Sequence, residues 1–583
     1  MTSRSRAMVL ASLPLTLALL AAGCVRMPEQ GAVHESDTSA DASVEQASAI
    51  DAEPPRPNAA PADIAKGFIE AMAAWPIQTE VAKQFLSEEA AEAWKPQDGT
   101  ITFTAALPPE DRSSVTSVQL SGAERLDASG AWRGAVPAAE QLLRFEMTIE
   151  DGEYRITNPP DALVVPASWF AQRFRQVSLY FFDRTGRILV PEPVFVARGD
   201  QLASNLTDRL LEGPGADLRL ISRSYLPSGL DAGLSVPVTD QGVAQVEFGG
   251  SYAGPNPDDV ERMLAQLGWT LRQVPGIRAL RVSIGGEEVR LPGGDAEYDV
   301  NQAQQFDPAG AGANPLLYGL RDGRLVYGEA DTLAPAEGPL GDDESEGLRS
   351  VSLSLDAADA VGVSADGTSL LKAKVRGAGS DDVRQIASGA SNLLPPVWDF
   401  TGRLWVVDRT PDGARVAFRE NGELVTLQVP GVSGHRVRAF LVSRDATRFV
   451  AVVRGPKGDK VRAGRILVDD RGRVSGAGQT RRLEVEGVDR VRVTDIAWIS
   501  PTSVAVLRPV SEELFEVRAV AVDGAPTLAE ALSTSVSGTV TALAAAPDSS
   551  TPYAVTREGL VDLDTGATIP FPDERVKSLG YVG

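Results

Sequence analysis

The sequence predicts a multidomain fold with an α+β N-terminal domain, an α/β-type middle domain and a C-terminal all-β propeller of about five to seven blades. Three observations carry this. At 583 residues the chain is too long for one ordinary core. Amphipathic helical stripes are confined to its first half. From residue 310 onward short apolar strands alternate with Ser-, Asp-, Gly- and Pro-bearing turns, and no helical stripe recurs. Turns near Asp322, Asp366, Thr401, Asp445, Pro501 and Asp548 are 44, 35, 44, 56 and 47 residues apart, bracketing the period of a four-stranded blade.

The elements follow in chain order. Residues 8–20 form an apolar run behind Arg4 and Arg6, too short to cross a hydrocarbon core of about 30 Å. This is the pattern of a signal peptide over residues 1–23. Residues 24–57, rich in Ala, Ser, Asp, Glu and Pro, are expected to be a disordered acidic tether spanning about 30–35 Å.

Over 58–170, Pro61 opens a helix whose stripe is Ile64, Phe68, Met72 and Trp75. Ser87 should cap a second helix, with Glu88 and Glu89 at the positive end of its dipole. Alternating segments such as "VTSVQL" (115–120) and "LLRFEMTI" (142–149) then make an antiparallel sheet. The whole is loosely similar to cone-shaped domains of the nuclear-transport-factor-2 type.

Over 175–293, strands at 177–182 and 187–197 precede a helix at 201–212 that Gly213 and Pro214 stop. Residues 233–250 are expected to form a strand, a turn and a second strand. Asn256 and Pro257 start another helix, and a hairpin turns at Gly285 and Gly286. The words "VSLYFFDRTGRILVPEPVFVARG", "LLEGP", "YLPSGL" and "VPGIRALRVSIGGEEV" resemble the GerMN domain of sporulation and spore germination. The propeller should fill residues 310–583.

Composition narrows the function. A net charge of −23 excludes broad nucleic-acid binding. With His34 and His435 the only histidines, a histidine-ligated metal site is excluded too. No Gly-x-Ser-x-Gly elbow, Walker loop or dinucleotide fingerprint occurs. Ser433 and His435 are two apart in a loop, where side chains rarely meet productively. "SADGT" (364–368) and "SRDAT" (443–447) read as type I turns, and Asp342, Asp343, Asp469 and Asp470 as solvated loop acids. Trp398, Phe400, Trp405 and Trp498 read as packing between blades, with glycan or protein recognition as the alternative. The expectation is no enzyme, no cofactor and no metal.

Cys24 is the only cysteine, and it follows Ala21, Ala22 and Gly23 directly after the apolar run. This resembles the lipobox of bacterial lipoproteins, although Ala21 stands where the usual pattern has Leu. The alternative is an ordinary secreted protein in which Cys24 is incidental. A lipobox, an acidic tether, an α+β domain, a GerMN-like domain and a propeller, in this order, resemble the LpqB family of actinobacterial lipoproteins. The words "GCVRMPEQGAV", "IAKGFIEAM", "EAAEAW" and "GLRDGRLVY" match its style. The resemblance implies that Cys24 is an N-palmitoyl and S-diacylglycerol cysteine on the extracytoplasmic face of the cell membrane. It also implies a non-enzymatic accessory that binds the sensor histidine kinase MtrB and modulates the MtrAB two-component system, affecting cell-envelope homeostasis and division. The alternative is a peptidoglycan- or glycan-binding envelope protein.

Overall fold

The computed structural model describes residues 50–583, apart from 113–114, 252–255, 292, 343–346, 378–382, 486–490, 527–531, 549 and 572–575. The expected signal peptide, most of the tether, Cys24, His34 and Asp343 lie outside the described residues. No helix among those described is long and apolar enough to cross a membrane.

The first region opens with the helix Pro61–Ala71, which buries Ile64, Ala65 and Phe68 on one face. Ser87 Oγ accepts the Ala90 backbone N–H at 3.2 Å and starts the helix Glu88–Ala93, as its position predicts. Two sheets close around these helices. In one, Gly99–Phe103 runs parallel to Leu163–Pro166 and antiparallel to Glu124–Asp127. In the other, Val115–Ser121 pairs with Leu142–Glu150, which turns back as Glu153–Ile156. Phe68, Trp94 and Phe145 meet at 5.3–5.9 Å between ring centroids and anchor the core.

Among the described residues the middle region has two long helices and a short one, Ala216–Arg219, with two small sheets. Leu202–Glu212 ends at Gly213, whose φ of 81° suits a residue without Cβ. The Asn256 side chain caps Pro257–Leu271 by accepting the Asp258 N–H at 3.2 Å. The strand Phe174–Asp183 pairs along its length with Leu189–Ala197, but only its end meets Ser222–Arg223. Side chains from the second helix and just beyond it satisfy the remaining edge. Thr270 Oγ1 accepts the Tyr180 N–H, while Gln273 accepts from Ser178 N at 2.8 Å and donates to Ser178 O at 2.7 Å. The strand expected early in 233–250 does not form. It is reduced to one bridge, Val238 with Ala244, and Leu234 stands fully exposed. Pro237 has no N–H to give a ladder and contributes only its carbonyl, to Gln245 N. The second half is therefore a parallel pair, Val243–Gly249 with Ala279–Ile284, joined through the helix Pro257–Leu271.

Among the described residues the last region is a six-bladed propeller, built from six sheets of four strands with a fifth strand on one of them. The innermost strands of blades 2–6 are Leu348–Leu353, Val397–Trp398, Val437–Val442, Asp495–Ser500 and Val540–Ala544. Blade 1 takes its innermost strand, Lys577–Gly580, from the end of the chain, and this pairs with Leu317–Arg321. Each innermost strand touches the next, and Lys577–Gly580 touches both neighbours, so the ring closes. The uneven turn spacing now has a cause. Asp322 and Asp366 lie between second and third strands, whereas Thr401, Asp445, Pro501 and Asp548 follow innermost strands. The 35-residue interval is the change of phase.

Asp495 joins two blades, because its Oδ2 accepts the Leu543 N–H at 2.9 Å. Loss of hydration pushes its carboxyl up to about 6, against about 3.9 in an unfolded chain. Folding therefore favours the protonated acid. That contribution is complete below about pH 4 and is lost as pH rises through about 6. Asp495→Asn keeps a carbonyl for Leu543 without the charge. It should raise stability by about 2–3 kcal/mol at pH 8 and change it little at pH 4. Thermal melts at the two pH values check this; an equal change at both would refute it.

Candidate functional site

Because each blade is an antiparallel meander, the propeller has two faces with different turns. One face carries the turns after innermost strands and those between third and fourth strands. The other carries the hairpins between second and third strands and the blade-to-blade connections.

The first face is covered by the chain itself. Ser443, Asp445 and Thr447 form a buried turn in which Asp445 Oδ1 accepts the Thr447 N–H at 2.9 Å. From that turn Arg444 donates to Ala309 O, Asp548 Oδ2 and Val582 O at 2.7–2.8 Å. Arg448 and Arg465 reach Glu192 of the middle region, and Arg448 also donates to Pro191 O. Arg187 lies 5.2 Å above the Phe400 ring, Arg184 pairs with Asp470, and Gln176 Nε2 donates to Asp523 Oδ2 at 2.9 Å. Arg481 Nη1 donates to Trp132 O at 2.9 Å, so the first region docks here too.

The second face holds three adjoining hollows of about 320, 630 and 540 Å³, lined by propeller residues alone. Arg438 borders all three. Arg454 borders the first and third, and Arg492 the second and third. Arg409 and Arg436 complete the first hollow, and Lys457 the third. The carboxylates on these walls are Asp459 and Glu512. The strand Arg448–Gly455 connects the two faces. Arg448 starts it on the covered side, and Arg454 lies six residues further, about 20 Å at 3.3 Å per residue.

Like charges gather at this mouth. Arg349 and Arg409 each donate to the same Asn392 Oδ1, at 2.8 Å. Desolvation, and then the charges of Arg349, Arg454 and Arg438, lower the pKa of Arg409. Asp459 lies 3.4 Å from Arg438 Nε, but its Oδ2 also accepts the Val493 N–H at 2.9 Å.

The sequence-derived candidates fall elsewhere or into packing roles. Ser433 Oγ accepts the Val429 N–H at 3.0 Å and points back to Leu427 O, and it makes no hydrogen bond to the exposed His435. Trp405 Nε1 donates to buried Asp399 and Trp498 Nε1 to Val442 O, while Trp398 is buried beneath Lys372. Phe400 belongs to the interface beneath Arg187. In "SADGT", Asp366 Oδ1 accepts the Ser364 hydroxyl at 2.6 Å and the Thr368 N–H at 3.0 Å, and these hydrogen bonds hold its carboxyl down at about 2. Asp469 closes a turn onto Arg473, and Asp470 meets Arg184. Among the described residues no group of acids, histidines or cysteines is arranged to hold a metal. The arginine mouth escaped sequence reading because its members lie on three blades. Within one segment only "HRVR" (435–438) signals it.

The fold and its arginine-lined face define the class: a multidomain propeller protein with a GerMN domain. Family models match in the same order. They are the lipoprotein LpqB N-terminal domain over residues 54–171, the sporulation and spore germination domain over 178–290, and the lipoprotein LpqB β-propeller domain over 323–568. The chain belongs to the lipoprotein LpqB family. It is 27% identical over 550 residues to lipoprotein LpqB of Thermobifida fusca, covering 84% of this chain and 86% of the relative. To the Streptomyces coelicolor protein it is 27% identical, covering 87% of each. Among solved structures, the first GerMN domain of Bacillus subtilis GerM is similar at 20% identity and a TM-score of 0.19, covering 21% of this chain and 97% of that domain. TolB of Acinetobacter baumannii is similar at 13% identity and a TM-score of 0.32, covering 46% of this chain and 66% of that one.

Proposed function

We propose that the protein is a non-enzymatic lipoprotein held on the extracytoplasmic face of the cell membrane through lipids on Cys24, where it binds the sensor kinase MtrB and modulates the MtrAB system. Envelope homeostasis and division would respond through that system. The observation that carries this reading is the three-domain LpqB organisation, in which the chain covers one propeller face and leaves the other lined by cations. Such a face suits docking. To change signalling, the protein must bind the two states of the kinase unequally, and about 1.4 kcal/mol of difference shifts their ratio tenfold.

Crosslinked membranes from cells carrying wild-type or Cys24→Ala protein test the reading. The wild type should sediment with membranes and capture the kinase. Cys24→Ala should leave the membrane fraction or remain unprocessed, and capture should fall. Normal maturation and retention of Cys24→Ala would overturn the anchor. Failure of wild-type protein to capture the kinase would overturn the partner.

A further inference from the structure

We propose that the mouth of the propeller formed by blades 3–5 and the edge of blade 6, on the face away from the other two regions, is a binding site for an acidic peptide segment that also carries apolar side chains. This goes beyond the kinase reading, since the site selects a chemistry and not a particular protein.

The first argument is electrostatic. The three hollows bring Arg409, Arg436, Arg438, Arg454, Arg492 and Lys457 together in a chain whose net charge is −23. Among the described residues their walls supply only Asp459 and Glu512 in return. Elsewhere on the propeller, several arginines are matched locally by carboxylates. Arg403 meets Asp399 and Glu420, Arg508 meets Glu516, and Arg473 meets Asp469. At the edge of the first hollow, by contrast, Arg409 shares one neutral amide oxygen on Asn392 with Arg349 of blade 2. Gathering like charges costs folding free energy, and an anionic ligand would recover it.

The second argument concerns geometry and exposure. Arg436, Arg454 and Arg492 are exposed, whereas Arg438 and Arg409 are half-buried behind them. A guanidinium offers a planar fork of donors that matches a carboxylate with two hydrogen bonds. Exposed arginines at the rim can capture a side chain that the inner pair then desolvates.

The third argument selects peptide over a phosphate polymer. The hollow of about 630 Å³, at the blade 5–6 end, adds Pro509, Val510, Phe515 and Val540 to its two arginines, and Val510 is 53% exposed. A phosphate chain has nothing to bury there. A segment alternating Glu with Leu or Val would place carboxylates on the guanidiniums and apolar groups on this wall.

The test uses the chain from residue 24 onward with Cys24→Ala, which carries neither the lipid site nor the apolar 8–20 run, and a fluorescein-labelled peptide alternating Glu and Leu. Fluorescence anisotropy should report saturable binding that weakens steeply with added salt. The double variant Arg454→Glu/Arg492→Glu should weaken binding at least about tenfold, because it reverses two attractive contacts. Both side chains are exposed, so its melting temperature should match the parent. Arg144→Glu, an exposed arginine of the first region, should bind as the parent does. Equal binding of a Gln/Leu peptide, or unchanged binding by the double variant, would overturn the proposal. Direct saturable binding of labelled linear polyphosphate, with no measurable peptide binding, would assign the mouth to phosphate polymers instead and overturn it too. Peptide binding is read independently of kinase capture, so either reading can fail alone.

Discussion

Replacing Arg444 with Met should destabilise the propeller by about 3–5 kcal/mol, the largest effect expected from a single side chain in this region. The Arg444 side chain is buried, and burial lowers its pKa, with Asp548 and Asp307 acting in the opposite direction. Its Nη1 serves Ala309 O and Asp548 Oδ2, and its Nη2 serves Val582 O. One guanidinium from blade 4 thus ties down the segment entering the propeller, a turn of blade 6 and the end of the chain. Methionine fills similar volume but leaves two carbonyls and a half-buried carboxylate without their donor, at about 1–3 kcal/mol each. The effect should concentrate at ring closure, because Val582 lies two residues beyond the closing strand Lys577–Gly580. Hydrogen exchange across that strand and its partner Leu317–Arg321 should accelerate more than exchange in blade 3. Uniform acceleration, or none, would show that Arg444 is not the clasp.

Much of this architecture is legible in the sequence, and what is missed follows a physical rule. Local periodicity exposes the helix caps at Ser87 and Asn256 and the core stripe of Ile64 and Phe68, since their partners lie within a few residues. The strand–turn–strand words of the propeller are equally local. The closing strand is not, because it pairs residues 318 and 580 and nothing near either position announces the other. The absent strand near Leu234 fails for a complementary reason. Its alternation is suitable, but Pro237 interrupts the ladder and the helix route makes its neighbour pair in parallel with Ala279–Ile284. The same rule governs the candidate site. Ser433, His435 and the tryptophans attract attention as residue types, yet their side chains serve turns, packing or surface. Arg409, Arg454 and Arg492 look like scattered surface charges until three blades bring them to one mouth.

Glu192→Gln should weaken the junction between the middle region and the propeller by about 3–5 kcal/mol, although it removes no bulk. Glu192 is buried on the strand Leu189–Ala197, with Arg465 in contact and Arg448 Nη2 at 3.7 Å. Burial, and next the charge of Arg465, push the pKa of Arg448 down to about 10, while Asp445, Glu192 and Asp523 oppose that. Glutamine retains the shape but leaves Arg448 and Arg465 facing each other with one countercharge fewer. Asp445 cannot replace it, because its Oδ2 already pairs with Arg448 Nη1 at 3.4 Å and its Oδ1 accepts from Ser443 and Thr447, so nothing is left for Arg465. The domains should therefore separate before they unfold, giving an earlier thermal transition and faster proteolysis between residues 300 and 316. The sign of a second change separates this account from simple loss of a contact. If repulsion between the two arginines drives the effect, Glu192→Gln/Arg465→Met should regain part of the lost stability. If Glu192 acts only through its own hydrogen bonds, the double variant should be no more stable than Glu192→Gln, and the charge argument would be wrong.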